Sequence, residues 1–477
     1  MPLPARYGRW GPILAPAVLI MLIIHFFRAD FGSATTQDVI EPAPGLTIES
    51  SNQTDLRTGH VPPSCPMLTG IDDVFVVIKT GITEAQDKVP VHLRTTLRCI
   101  PHKIIVSDYE EEIAGVRTFD VFRNVSDTLK QSSGDFALYN RARTGGRAAL
   151  TSQDHVKVAN GPSGMMDNPG WKLDKWKFLP MIQTARHAQP DAKWFVFLEA
   201  DTYPIWPNLL GWLSHFNPED RLYLGNQMQI GSNLFAHGGS GFALSHAAIH
   251  SVADFHALHV EEWEKITDRE WAGDCVLGMA LAAAGVPLTW SWPHVTTQSV
   301  WEQDMLHEAF AKQPWCYAPF TFHHMTPADV DRFYAFEQQW FAEVGHQFRI
   351  IYLTHIANEL TQTNSSVLTY SDVFQKLIRP TLAHHLDNWD NFANEGDDKE
   401  DYKGPQTPAT LAACADYCAA NTECIQYRLT ADFRCTTSKA VLRGKPQPGT
   451  QSGTMLWRVD AAVGQMEHCS KAAWVTA

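Results

Sequence analysis

Trp194-Phe195-Val196-Phe197-Leu198-Glu199-Ala200-Asp201-Thr202-Tyr203 decides how this chain is read. Five apolar residues stop at two acids set one residue apart. A run that apolar fits a strand covered on both faces, as strands of α/β sheets are. Acids at its C-terminal end then stand on the rim where open α/β sheets bind ligands. Paired carboxylates in that position suit a hard divalent cation better than a hydrophobic core. A bare acid-x-acid is more often a solvated loop, so the flanks must carry the weight.

Upstream, the apolar run 74–78 ends at Lys79-Thr80-Gly81, helical spacing covers residues 85–97, and residues 102–108 form a second apolar run closed by Asp108. Strand, helix and strand with polar residues at the strand ends predict a nucleotide-binding α/β half. Neither G-x-G-x-x-G nor G-x-x-x-x-G-K-[ST] occurs, which argues against a dinucleotide fingerprint and a P-loop. Residues 140–170, rich in Gly, Ser, Asn and Arg, read as a flexible lid loop, and residues 171–187 as a helix. Downstream, His237-Gly238-Gly239-Ser240-Gly241-Phe242 is a glycine-rich turn that lets backbone approach a ligand closely.

The chain has 477 residues, 44% hydrophobic and 19% charged. That is enough for two or three domains with a large core, and it excludes global disorder. A net charge of −14 without a long basic block argues against nucleic acid and is compatible with a sugar or protein partner. Residues 11–27 are apolar apart from His25 and follow Arg6 and Arg9. They predict an uncleaved signal anchor, with residues 1–10 cytosolic, residues 28–64 a polar stem and the remainder lumenal. Nine cysteines, four of them between Cys414 and Cys435, fit a disulfide framework in an oxidising compartment. Sequons at Asn52, Asn124 and Asn364 fit the same compartment. The odd cysteine is free or joins two chains, which permits a homodimer. Residues 386–405 are acidic and read as a linker to a small cysteine module, residues 406–477.

Seven motifs follow in one order: VFVVIKT, IIVSD, GWKLDKWKFLP, WFVFLEADTY, HGGSGFALS, WAGDCVLG and PFTFHHM. This order resembles glycosyltransferase family 31 over residues 70–345, especially its Fringe-like and core 1 β-1,3-galactosyltransferase-like members. The resemblance implies a GT-A fold with a mixed α/β sheet in domain 65–385. It also implies an inverting, metal-dependent hexosyltransferase that moves a sugar from a UDP-sugar to a glycan or glycoprotein hydroxyl in a β-1,3 linkage. A Golgi, single-pass type II membrane protein with a lumenal catalytic domain is the matching expectation.

By the same resemblance, Asp201 matches the last acid of the D-x-D motif and ligates Mn2+. Glu199 matches the first acid and contacts the ribose or a metal-bound water. The family often has three consecutive Asp residues where this chain has Glu-Ala-Asp. His323 matches the C-terminal metal ligand, with His324 as competitor because neighbouring strand residues face opposite ways. Asp274 matches the catalytic base, although the family commonly has two acids where this chain has Gly273-Asp274. On its residues alone, Asp274 reads as a helix N-cap. Lys79 and Thr80 are expected at the uridine or phosphates, Asp108 at the uracil or ribose, Trp171 and Lys175 in the nucleotide pocket, and Gly239 beside the sugar. Cys414-x3-Cys418-x5-Cys424-x2-Tyr427 with Cys435 resembles a PAN/Apple domain, which implies nested pairs Cys418–Cys424 and Cys414–Cys435 among three arithmetically open pairings. Two other classes compete. A degenerate transferase would bind glycans or proteins through that module. A two-carboxylate glycosidase would leave His323 unexplained.

Overall fold

The run 194–199 is a strand, and its five apolar side chains are buried on both of its faces. This computed structural model describes residues 65, 68–155, 168–352, 367–393, 400–401 and 410–476. The expected tail, signal anchor and stem lie outside them. Among the described residues no helix is long and apolar enough to cross a membrane.

Seven strands make the main sheet: β1 (Val74–Lys79), β2 (Lys103–Ser107), β3 (Phe119–Asp120), β4 (Trp194–Glu199), β5 (Tyr223–Gly225), β6 (Phe242–Ser245) and β7 (Leu288–Trp290). Their order is β7-β5-β6-β4-β1-β2-β3. β1 runs parallel to β2 and β4, while β6 is antiparallel to both of its neighbours, so the sheet is mixed. Four helices matter for the site: α1 (Ala85–Arg94), α2 (Phe178–Ala188), α3 (Gly273–Ala283) and α4 (Pro327–Tyr352).

Alternation along the strands sorts the core into two layers. Phe75, Val77, Phe195 and Phe197 meet Met181 and Ile182 of α2 and Val276 and Leu277 of α3. Val74, Val76, Ile78, Val196 and Leu198 meet Val89 of α1 together with Leu209 and Trp212. Helices on both faces explain why these strands read as unbroken apolar runs. The register sets Lys79 opposite Glu199, so β1 and β4 end together at one rim. β6, running the other way, starts at that rim, which brings the glycine turn there as well.

Three expectations are corrected. Within the expected lid loop, the structure places helices at Ala137–Gly145 and Gly146–Ala149; residues 156–167 lie outside the described residues. The supposed linker opens with a strand, Leu386–Asp390, at the edge of a five-stranded sheet shared with the cysteine module. Its acids resemble solvated linker residues in sequence because their partner is remote: Arg428 binds both oxygens of Asp390 at 2.6 and 2.7 Å. The unpaired thiol is Cys275, fully buried in α3, so it cannot reach a second chain.

Helix Leu411–Ala420 turns Cys414 and Cys418 toward that small sheet, where they bond Cys435 and Cys424. Cys316–Cys469 ties the C-terminal tail to the body that holds the seven-stranded sheet. The Trp212 indole donates to the Val475 carbonyl at 2.6 Å, and the Val475 N–H donates to His294 at 2.8 Å.

Candidate active site

Asp201 stands two residues beyond β4. Tyr203–Pro204 pairs antiparallel with Thr321–Phe322, and this short ladder carries His323 back to Asp201. The Met325 N–H donates to the Asp201 carbonyl at 2.9 Å, and the His323 N–H donates to the Gln298 carbonyl at 3.1 Å. His323 Nε2 then lies 3.3 Å from Asp201 Oδ1. The two residues on which the metal expectation depends are side by side.

His324 corrects the strand-alternation argument. Its φ of +56° is left-handed, which breaks the pleat. The two imidazoles therefore lie on one side, with ring centroids 3.8 Å apart. Asp201, His323 and His324 each offer a ligand atom, and those atoms lie within 4.8 Å of one another. Both Nδ1 atoms are buried without a hydrogen-bond partner among the described residues. Buried polar atoms left this way are uncommon, and a cation is the partner that one carboxylate and two imidazoles suit.

The electrostatics agree. Burial alone would raise the Asp201 carboxyl, but the His323 and Lys88 charges hold it well below the usual carboxylate range. Lys88 of α1 reaches Asp201 at 3.0 Å and Glu84 at 2.7 Å. Burial would lower the His323 imidazole, and the Asp201 carboxylate raises it above the ordinary histidine value. His324 is pushed down to about 4 by burial and by its charged neighbour, so it is the imidazole already neutral and ready to ligate.

Lys79 is buried at the end of β1, paired with Asp174 and, at 3.0 Å, with Glu199. Burial would lower its ammonium, and these two carboxylates reverse that, so it stays charged. Glu199 thus meets a lysine at the rim. Asp108 departs from expectation: it accepts the Ile82 N–H at 2.8 Å and pairs with buried Lys177 at 3.0 Å. Lys177 also donates to the Thr80 carbonyl at 2.8 Å. Asp108 therefore braces the loop behind the site, and its oxygens are engaged. Lys175 is likewise committed, pairing with Asp135 at 3.0 Å and donating to the Asp268 carbonyl at 3.1 Å. Thr80 keeps a buried hydroxyl without a partner among the described residues. Trp171 stacks on exposed Trp271, centroids 5.9 Å apart.

Gly239 has a definite cause. A Cβ there would sit 2.3 Å from the His323 ring, so only glycine leaves that imidazole its place. Asp274 is the second residue of α3, not its N-cap, which is Ala272. Its carboxylate accepts the Gly238 and Cys275 N–H groups, each at 2.9 Å, and so clasps the glycine turn. Burial pushes its carboxyl up to about 6 against the pull of those two donors.

Sequence reasoning missed Asp174, Lys177 and Lys88. The Lys-Leu-Asp-Lys-Trp-Lys stretch held a signal for two of them, since Asp174 and Lys177 sit one helical turn apart and pair at 3.4 Å. Lys88 gave none, because its partner Asp201 lies 113 residues away.

A Fringe-like family model matches residues 175–326. That stretch runs from Lys175 through β4 and α3 to just past His324. Residues 175–326 are thus similar to a Fringe-like domain. Fringe-like domains are glycosyltransferase domains, so the match supports sugar transfer onto a glycan, and the mixed seven-stranded sheet fits such a domain.

Proposed function

We propose that the protein is an inverting, metal-dependent hexosyltransferase that moves a sugar from a UDP-sugar to a glycan or glycoprotein hydroxyl, forming a β-1,3 linkage. The observation that carries this is the convergence of Asp201, His323 and His324 at the strand rim that also holds Lys79 and Glu199. Asp201, His323 and His324 would hold Mn2+, which when bound neutralises charge on a diphosphate leaving group. Lys79 adds a fixed positive charge at the same rim. Asp274, elevated but ionised at neutral pH, takes the proton of the acceptor hydroxyl. The acceptor oxygen forms its bond to the anomeric carbon as the bond from that carbon to the diphosphate breaks, and the electron pair leaves with UDP. Gly238 and Gly239 keep the wall between base and metal residues thin.

Two departures from the family pattern do not favour a degenerate binder. Ala200, in the middle-acid position, is buried among apolar residues of the second core layer. Gly273, in the other, is crowded: a Cβ there would lie 2.5 Å from the Phe178 ring and 2.6 Å from the Lys175 backbone. Packing accounts for both losses, and the ligand-type side chains remain. The nested disulfides support reading the small sheet as a PAN/Apple-like module, and four disulfides in all support a lumenal setting behind a signal anchor at residues 11–27.

The test is UDP binding and UDP-sugar turnover by the full chain with and without Mn2+. Asp201→Ala is expected to abolish the metal-dependent part of UDP binding. Asp274→Asn is expected to keep binding and lose transfer by a factor of about 10²–10⁴. Metal-independent UDP binding, or an unaffected Asp274→Asn enzyme, would overturn the assignment.

A further inference from the structure

In a chain with 38 Lys and Arg against 52 Asp and Glu, an arginine has acids to spare. Arg332 and Arg443 nonetheless each stack on a tryptophan without one. Arg332, exposed on α4, lies over the Trp301 ring at 5.3 Å. The Trp301 carbonyl accepts the Gly444 N–H at 3.0 Å, which brings the backbone next to Arg443 up to the same tryptophan. Arg443 stacks 3.8 Å above Trp389. Its Nη1 is buried with no acceptor among the described residues, and so is the indole Nε1 of Trp301. Neither guanidinium has a carboxylate partner among the described residues. Burial above all, with the Arg332 charge adding to it, lowers the Arg443 guanidinium to about 10. Lys445 stands next in line, 4.8 Å above Phe392 and 3.9 Å from Glu302.

Buried donors without acceptors and paired like charges are both unfavourable, and one oxyanion relieves both. Guanidinium forks match carboxylate and sulfate geometry, and flanking indoles suit a sugar ring. The place is also informative. Trp301 lies three residues from Gln298, whose carbonyl holds the His323 N–H, and α4 begins two residues after Met325. Half of the cluster comes from the C-terminal module.

We propose that Arg332, Arg443 and the Trp301 indole form an anion subsite that takes the carboxylate or sulfate of an acidic saccharide in the acceptor. Its use as an acceptor subsite rests on the transferase reading; its affinity for the anion does not. The C-terminal module thereby supplies substrate specificity.

Calorimetry on the full chain tests this with four probes: a glucuronate-bearing disaccharide, a sulfated disaccharide, their neutral counterpart, and UDP with Mn2+. At least one acidic disaccharide is expected to bind, weakening with added salt, and the neutral one to bind about tenfold or more less tightly. Which acid binds separates carboxylate from sulfate. Arg332→Gln, an exposed substitution that spares folding, is expected to remove most of that difference, and Arg443→Lys to remove part of it, with UDP binding unchanged in both. Equal affinity for acidic and neutral sugars, or no loss in Arg332→Gln, would overturn the subsite. So would loss of UDP affinity in Arg332→Gln, which would make the cluster a donor phosphate site. Acidic-sugar binding without any UDP binding would leave the subsite standing and sink the transferase reading instead.

Discussion

A carboxylate can take a proton only after losing its own, and Asp274 loses it late. Its carboxyl is raised to about 6, so the fraction able to act as base grows as pH rises through that value. The expected kcat/KM profile therefore climbs toward pH 6, reaches half its plateau near there, and is flat above. A profile already flat from pH 4.5 upward would remove Asp274 from the base role. Its neighbour gives a second expectation. Gly273→Asp would restore the family's paired acids, yet its Cβ would strike the Phe178 ring and the Lys175 backbone. Overpacking of this kind costs roughly 1–3 kcal/mol or more, so the variant should melt several degrees lower and gain no activity. A more active, equally stable variant would refute the packing account. At this scale, the residue types that bind metal were legible, because few side chains do so and Asp201 and His323 sit at strand ends. Lys88 and the Asp108–Lys177 pair were hidden, because ion pairing between remote segments leaves no periodic trace.

Elements were legible where burial writes itself into sequence. β1, β2 and β4 are covered on both faces and read as apolar runs; Leu386–Asp390, an edge strand with partly exposed acids, read as linker. Helix α4 carries one feature that no pattern announces. Glu337 faces inward, buried, and accepts the hydroxyl hydrogen of Tyr203. Burial raises its carboxyl to about 7 from an ordinary 4.5. Between those values the folded state binds more protons than the unfolded state, so stability falls as pH rises through that window, with the full penalty above 7. Glu337→Gln keeps a carbonyl oxygen for Tyr203 and cannot ionise. It should leave stability near pH 4.5 almost unchanged and add up to about 3 kcal/mol at pH 8. Melting curves at a series of pH values check this, and parallel wild-type and variant curves would refute it.

Across the whole molecule, the boundary suggested by composition does not separate two bodies. The cluster that holds Tyr203, Phe322 and Phe333 beside Asp201 and His323 also contains Ile425, Val441 and Val459 of the C-terminal region. Cys316–Cys469, whose ends are 153 positions apart in sequence, then locks the tail onto the sheet, and Trp212 and His294 hold Val475 beyond it. A crosslink that closes so long a loop removes much unfolded-chain entropy, so Cys316→Ser with Cys469→Ser should lower stability by about 3–5 kcal/mol. Because the core is shared, the wild-type chain should melt in one calorimetric transition, and loss of this disulfide should lower that single transition rather than split it. Limited proteolysis supplies the opposing outcome. If the double variant sheds a fragment covering residues 410–476 while the remainder still binds UDP at full affinity, the C-terminal module is an appendage, and its contribution of Arg443 to the anion subsite is incidental.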